Sequence, residues 1–120
     1  MIDSMLTGSC HCGRVRITLP DKPDQVTRCN CSICSKTGFE GVYYRSAGVT
    51  IQGDFDDYVR ADSNPAYIAL HRCRHCGIAT HWTPLNEPPH DRIGINARLF
   101  EPEALEGVPV RQVDGRSRPA

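Results

Sequence analysis

The sequence predicts a mainly β fold, small antiparallel sheets with little helix, and three observations predict it. Apolar and polar residues alternate in short runs separated by Gly, Pro, Asn and Asp. No segment repeats its apolar residues at helical spacing. The chain has 120 residues, which suits one packed core and leaves little room for a second.

The elements follow in order. Residues 15–19, VRITL, alternate and stop at Pro20-Asp21, which predicts a half-buried strand and a turn. Residues 41–45 and 49–52 are β-rich, the second closed by Gly53-Asp54. Residues 57–60 form another short run, and Asn64-Pro65 marks a turn. Residues 67–72 lead into Cys73, and residues 78–82 leave Cys76-Gly77 as the opposite arm of a hairpin. Residues 84–89 read as a loop and residues 92–96 as the last core strand. Pro102-Glu103-Ala104-Leu105 predicts one helical turn with proline at its first position. Residues 1–105 form the domain, and residues 106–120, poor in apolar side chains, a loose tail. Between Arg28 and Lys36 there is no usable periodicity, so whatever the cysteines there hold sets the conformation.

Composition excludes several function classes. Fourteen basic and fourteen acidic residues give a net charge of zero, which argues against a nucleic-acid binder and a polybasic membrane anchor. No stretch reaches the apolar length of a membrane span. Residues 1–9 show neither a charged leader nor an apolar core of a secretory signal, which predicts a cytoplasmic, reducing compartment.

Against that background seven cysteines stand out, and an odd number fits poorly with a disulfide framework. They fall into three groups: Cys10 and Cys12, then Cys29, Cys31 and Cys34, then Cys73 and Cys76. Each outer pair is followed by glycine, Gly13 and Gly77, which permits a tight turn that brings backbone N–H groups to the sulfurs. Two such knuckles facing each other predict one closed four-thiolate zinc site. Looping the intervening chain costs roughly 3.6 kcal/mol, whereas structural zinc binding releases about 10–16 kcal/mol, so the metal term is the larger. The central triplet supplies three thiolates and an open position, the pattern of catalytic zinc, where a thiol substrate binds as thiolate. Three alternatives stay open at this stage. The outer cysteines can pair as disulfides or lie apart. His11, His71, His75, His81 or His90 can complete a second structural site at the triplet. Cys31 and Cys34 can form a redox pair, although no thioredoxin-like pattern surrounds them.

The segments Gly8-Ser9-Cys10-His11-Cys12-Gly13 with Val15, Cys29-Asn30-Cys31-Ser32-Ile33-Cys34 and Cys73-Arg74-His75-Cys76-Gly77 resemble the glutathione-dependent formaldehyde-activating enzyme family, also called the CENP-V/GFA family. The resemblance covers residues 7–97 and involves all seven cysteines in order. It implies an Mss4-like β-rich fold, a structural zinc on Cys10, Cys12, Cys73 and Cys76, and a catalytic zinc on Cys29, Cys31 and Cys34: two ions per chain. It also implies a carbon–sulfur lyase activity, the condensation of formaldehyde with glutathione or the handling of another thiol adduct. The small-molecule thiol is then the partner, with no nucleic acid and no membrane involved. The competing function classes are a zinc-stabilised binding module without chemistry and a thiol-based redox or metal-handling protein.

Other residues are weighed for a thiol pocket. Arg28 and Lys36 flank the triplet and can meet glutathione carboxylates, although solvated surface charge is the plainer reading. Phe39, Tyr43, Tyr44 and Trp82 read first as sheet core, and His11 and His75 as outward-pointing knuckle residues. Glu40, Asp56 and Asp57 are available as bases, with nothing to single one out.

Overall fold

The computed structural model describes residues 5–62, 65–85 and 91–117. In chain order its strands are β1 (Leu6–Ser9), β2 (Arg16–Leu19), β3 (Val26–Cys29), β4 (Glu40–Arg45), β5 (Thr50–Gln52), β6 (Phe55–Val59), β7 (Ile68–Cys73), β8 (Ala79–Pro84), β9 (Arg92–Asn96) and β10 (Val110–Val113). One α-helix, α1 (Ser32–Thr37), lies between β3 and β4. The fold is mainly β, as the alternation predicts. Asn64 and residues 86–90, hence His90 and most of the expected loop, lie outside the described residues.

Two sheets form. The smaller runs β1-β2-β5 and the larger β10-β3-β4-β9-β8-β7-β6. All pairings are antiparallel except β10 with β3, which is parallel. The core joins them: Ile17 and Leu19 of β2 meet Val26, Val42, Ile93 and Ile95 of the larger sheet. Ile17, Leu19 and Ile95 are fully buried, each contributing about 1.5–3 kcal/mol of hydrophobic stabilisation. Alternation along β4 and β9 assigns Val42, Tyr44, Ile93 and Ile95 to this core face. Gly41, Tyr43, Arg92 and Gly94 therefore belong to the opposite face.

Two segments differ from the sequence reading. The stretch without periodicity holds α1, a short helix in which Ser35 N–H donates to the Cys31 carbonyl and Gly38 N–H to that of Cys34. Six residues are too few for a readable helical pattern. Strand β9 is the last strand to contribute to the core, as expected, and β10, which follows it, is an exposed edge strand. In the sequence residues 106–120 read as a loose tail, but their described part is tied down: β10 lies along β3, and a 3₁₀ turn covers Gly115–Ser117. Backbone pairing holds this edge strand. Val26 N–H donates to the Pro109 carbonyl at 2.9 Å and Asn30 N–H to that of Val113 at 3.2 Å. Such bonds need no apolar side chain and leave no pattern in the sequence. The proline-started turn at Pro102–Leu105 forms as expected.

Candidate functional site

All seven cysteines are free thiols, in two clusters. Cys10 and Cys12 follow β1, and Cys73 and Cys76 lie at the β7–β8 turn. The four sulfurs converge within 4.8 Å of one another, with Cys12 Sγ 3.7 Å from Cys10 Sγ and 3.6 Å from Cys73 Sγ. Thiolates at about 2.3 Å around a tetrahedral ion sit about 3.8 Å apart, so the donor set fits zinc. Gly13 and Gly77 take φ of 82° and 80°, the left-handed region that closes each knuckle. Amide groups then reach sulfur: Val15 N–H donates to Cys10 Sγ at 3.3 Å, and His75 and Cys76 N–H to Cys73 Sγ at 3.3 and 3.4 Å.

Cys29 at the end of β3, Cys31 before α1 and Cys34 within it also bring their sulfurs within 4.8 Å. Among the described residues no His, Asp, Glu or further Cys joins this group. The histidines weighed as a fourth ligand stand elsewhere. His11 and His75 are exposed, and His71 is held by Asp57 at 2.6 Å and Thr83 at 2.8 Å. His81 stacks on His71 at 4.4 Å. Burial opposes ionisation of Cys31, but the Cys34 amide, the Cys34 and Cys29 sulfurs and the charge of Arg60 outweigh it and lower its pKa. Burial, then the neighbouring sulfurs, pushes the Cys34 thiol up. Arg60 is fixed by Asp62 at 2.7 Å and by Ser32 at 3.0 Å.

The cluster opens onto a cleft of about 330 Å³ on the outer face of the larger sheet. Strand register builds it. Arg111 and Val113 lie opposite Thr27 and Cys29, Thr27 opposite Gly41, Tyr43 opposite Gly94, and Gly94 opposite Trp82. The glycines make room for the aromatics. A Cβ at Gly41 would lie 2.7 Å from the Tyr43 hydroxyl, and one at Gly94 2.1 Å from Trp82 Nε1. The Arg92 guanidinium lies over the Tyr43 ring at 4.3 Å. Burial raises the Tyr43 pKa against the Thr27 hydroxyl, so the phenol stays protonated at neutral pH. Thr27 Oγ1 itself is buried without a hydrogen bond of normal geometry.

Comparison with known proteins adds the family. The model of the glutathione-dependent formaldehyde-activating enzyme family matches residues 5–109. The chain belongs to that family. A Halomonas elongata protein named "Putative glutathione-dependent formaldehyde-activating enzyme" is 43% identical over 56 residues, 46% of this chain. That match spans only 33% of the relative's length. A crystal structure of a Rhodobacter sphaeroides protein is 26% identical, covering 88% of this chain and all of that one at a TM-score of 0.66.

Within this family member, the residues weighed for a thiol pocket separate. Arg28 pairs with Glu40 at 2.9 Å, away from the cleft, and Glu40 also takes Arg98 at 3.3 Å. Asp56 is paired with Arg74 at 3.0 Å and Asp57 with His71, so none of the three acids lines the cleft. Lys36 borders a different hollow, beside Ile33, Tyr58 and Arg60. Phe39 is buried, and Tyr44 packs against the core and donates to the Asp21 carbonyl at 2.7 Å. Tyr43 and Trp82 instead line the cleft. Sequence reasoning missed Arg92 and Arg111. Their only signal is strand register, which one sequence does not display. Among the described residues no helix is long and apolar enough to cross a membrane.

Proposed function

We propose that the chain is a zinc-dependent carbon–sulfur lyase of the glutathione-dependent formaldehyde-activating type, acting on a thiol adduct at Cys29, Cys31 and Cys34. One observation carries this reading: three converging sulfurs, with no fourth ligand among the described residues, at the edge of a cleft. In it Cys10, Cys12, Cys73 and Cys76 hold a structural zinc and the triplet holds a catalytic one. Bound at the triplet, zinc would keep an incoming thiol as thiolate at neutral pH, and that is the chemistry it supplies.

The residues of the chain do the rest. The thiolate sulfur adds to the carbonyl carbon of formaldehyde, the C–S bond forms, and the π pair moves to oxygen. That oxygen then takes a proton to give the S-hydroxymethyl adduct, and lyase action is the reverse. Tyr43, kept protonated by burial, is a hydrogen-bond donor that the cleft offers to that oxygen. Arg60 places positive charge beside Cys31 and favours an anionic sulfur cluster.

The test compares Cys31→Ser with the parent for metal content and for turnover of glutathione with formaldehyde above the uncatalysed rate. Loss of one of two metals together with turnover is expected. A variant that keeps both metals and full turnover removes the open-site reading, and a parent without turnover leaves a binding module.

A further inference from the structure

We propose that the cleft beside Cys29 is a carboxylate-recognition subsite, in which Arg111 and Arg92 select thiols that carry carboxylates over neutral thiols of similar size. This rests on the reading that a thiol is held at Cys29, Cys31 and Cys34, and it names what recognises the rest of that thiol.

The register supports it. Arg111 lies opposite Thr27, and Cys29 is two residues further along β3 on the same face. Two residues of strand span about 7 Å, so a carboxylate several bonds from a thiol at Cys29 meets an arginine side chain one strand away. Arg92 borders the same cleft from β9, across the Tyr43 ring. Among the described residues no acidic side chain lines this space. Among the described residues the Arg111 side chain has no hydrogen bond or ion pair, so its fork of donors faces no internal competitor. The floor is Thr27, a buried residue whose hydroxyl lies beside the Tyr43 phenol. Tyr43 and Trp82, given room by Gly41 and Gly94, supply apolar walls for the carbon chain between thiol and carboxylate.

The test measures binding of S-methylglutathione to the metal-loaded protein. The ligand keeps both carboxylates but has no free thiol, so neither turnover nor thiolate ligation enters. Trp82 is the only tryptophan and lines the cleft, so its fluorescence reports binding. Arg111→Gln, or Arg92→Gln on the interior strand, is expected to weaken binding roughly tenfold to a hundredfold, the scale of a lost charged hydrogen bond. The diethyl ester should bind the parent as weakly as the acid binds the variants. Weakening by either variant whose melting matches the parent supports the subsite. Equal binding of acid and ester by the parent, which needs no variant, overturns it, as does no binding at all. Turnover with formaldehyde is scored separately. Acid-over-ester preference without turnover sinks the lyase reading and leaves the subsite, and turnover without preference does the reverse.

Discussion

Gly115 lies directly against Cys29: a Cβ there would fall 2.5 Å from the Cys29 sulfur and 3.0 Å from Cys31 Cβ. The 3₁₀ turn at Gly115–Ser117 thus packs on the three-cysteine loop. Gly115→Ala must push this turn or that sulfur aside. Native mass spectrometry should then show one metal lost relative to the parent, with the four-cysteine site still filled and the melting temperature little changed. Unchanged metal content and turnover would make the contact incidental to the site.

Asn30 clasps the same turn. Its Nδ2 donates to Asp114 Oδ1 at 2.9 Å, and Arg116 N–H donates to its Oδ1 at 2.9 Å. Asn30→Ala removes both bonds, each contributing about 0.5–1.5 kcal/mol, while the backbone pairing of β10 with β3 remains. Amide exchange should accelerate at Arg116 and stay slow at Val113. Equal protection at Arg116 in parent and variant would show that β10 alone holds the turn.

The contrast between strands explains what one sequence discloses. The β2 segment alternates because one of its faces is core, so Ile17 and Leu19 are legible as buried residues. The division of the cysteines into four and three is legible because knuckle spacing is local. Strand β3, VTRC, is short and runs into the triplet, and β10 is an edge strand held by backbone bonds, so neither writes a side-chain pattern. Arg92 and Arg111 meet only through two intervening strands, β3 and β4, and no local feature of either segment announces it.

Gly94→Ala places a methyl where Trp82 Nε1 lies, 2.1 Å away. The indole must move, at a cost of about 1–3 kcal/mol for overpacking. Because Trp82 is the sole tryptophan, its emission maximum should shift while far-ultraviolet dichroism holds. Affinity for S-methylglutathione should fall with it. An unchanged emission spectrum would contradict the packing of indole on glycine.

His81 gives the fold an acid limit. It is 2% exposed, stacks on His71 at 4.4 Å and meets the Phe55 ring edge-on at 4.8 Å. Burial first, then the charge of His71 against the opposing Asp57, pushes its pKa down to about 3. Below about pH 6.5 the unfolded chain takes a proton that the folded chain refuses. The depressed pKa is that of a cation-forming group, so stability falls as pH drops from 6.5 towards 3, by up to about 1.4 kcal/mol per unit. His81→Gln should flatten this slope in denaturant titrations between pH 6.5 and 4.5. The thiols are common to both proteins, so the difference between the slopes reports His81 together with its coupling to His71. Parallel slopes would mean that His81 is not held neutral.

Chelation should remove the two proposed metals in sequence. The four-cysteine cage joins the end of β1 to the β7–β8 turn, and Cys10 and Cys73 are buried in the core cluster. Its ligands leave only with the packing around Ile17 and Val15, so losing that metal should unfold the chain. The triplet is only partly buried and all three of its ligands lie between the end of β3 and α1. Its metal should leave first, with turnover, while dichroism and melting stay near the parent's. Continued chelation should then give release and unfolding together. Simultaneous loss of both metals, with unfolding from the first equivalent of chelator, would mean that the triplet also holds the fold.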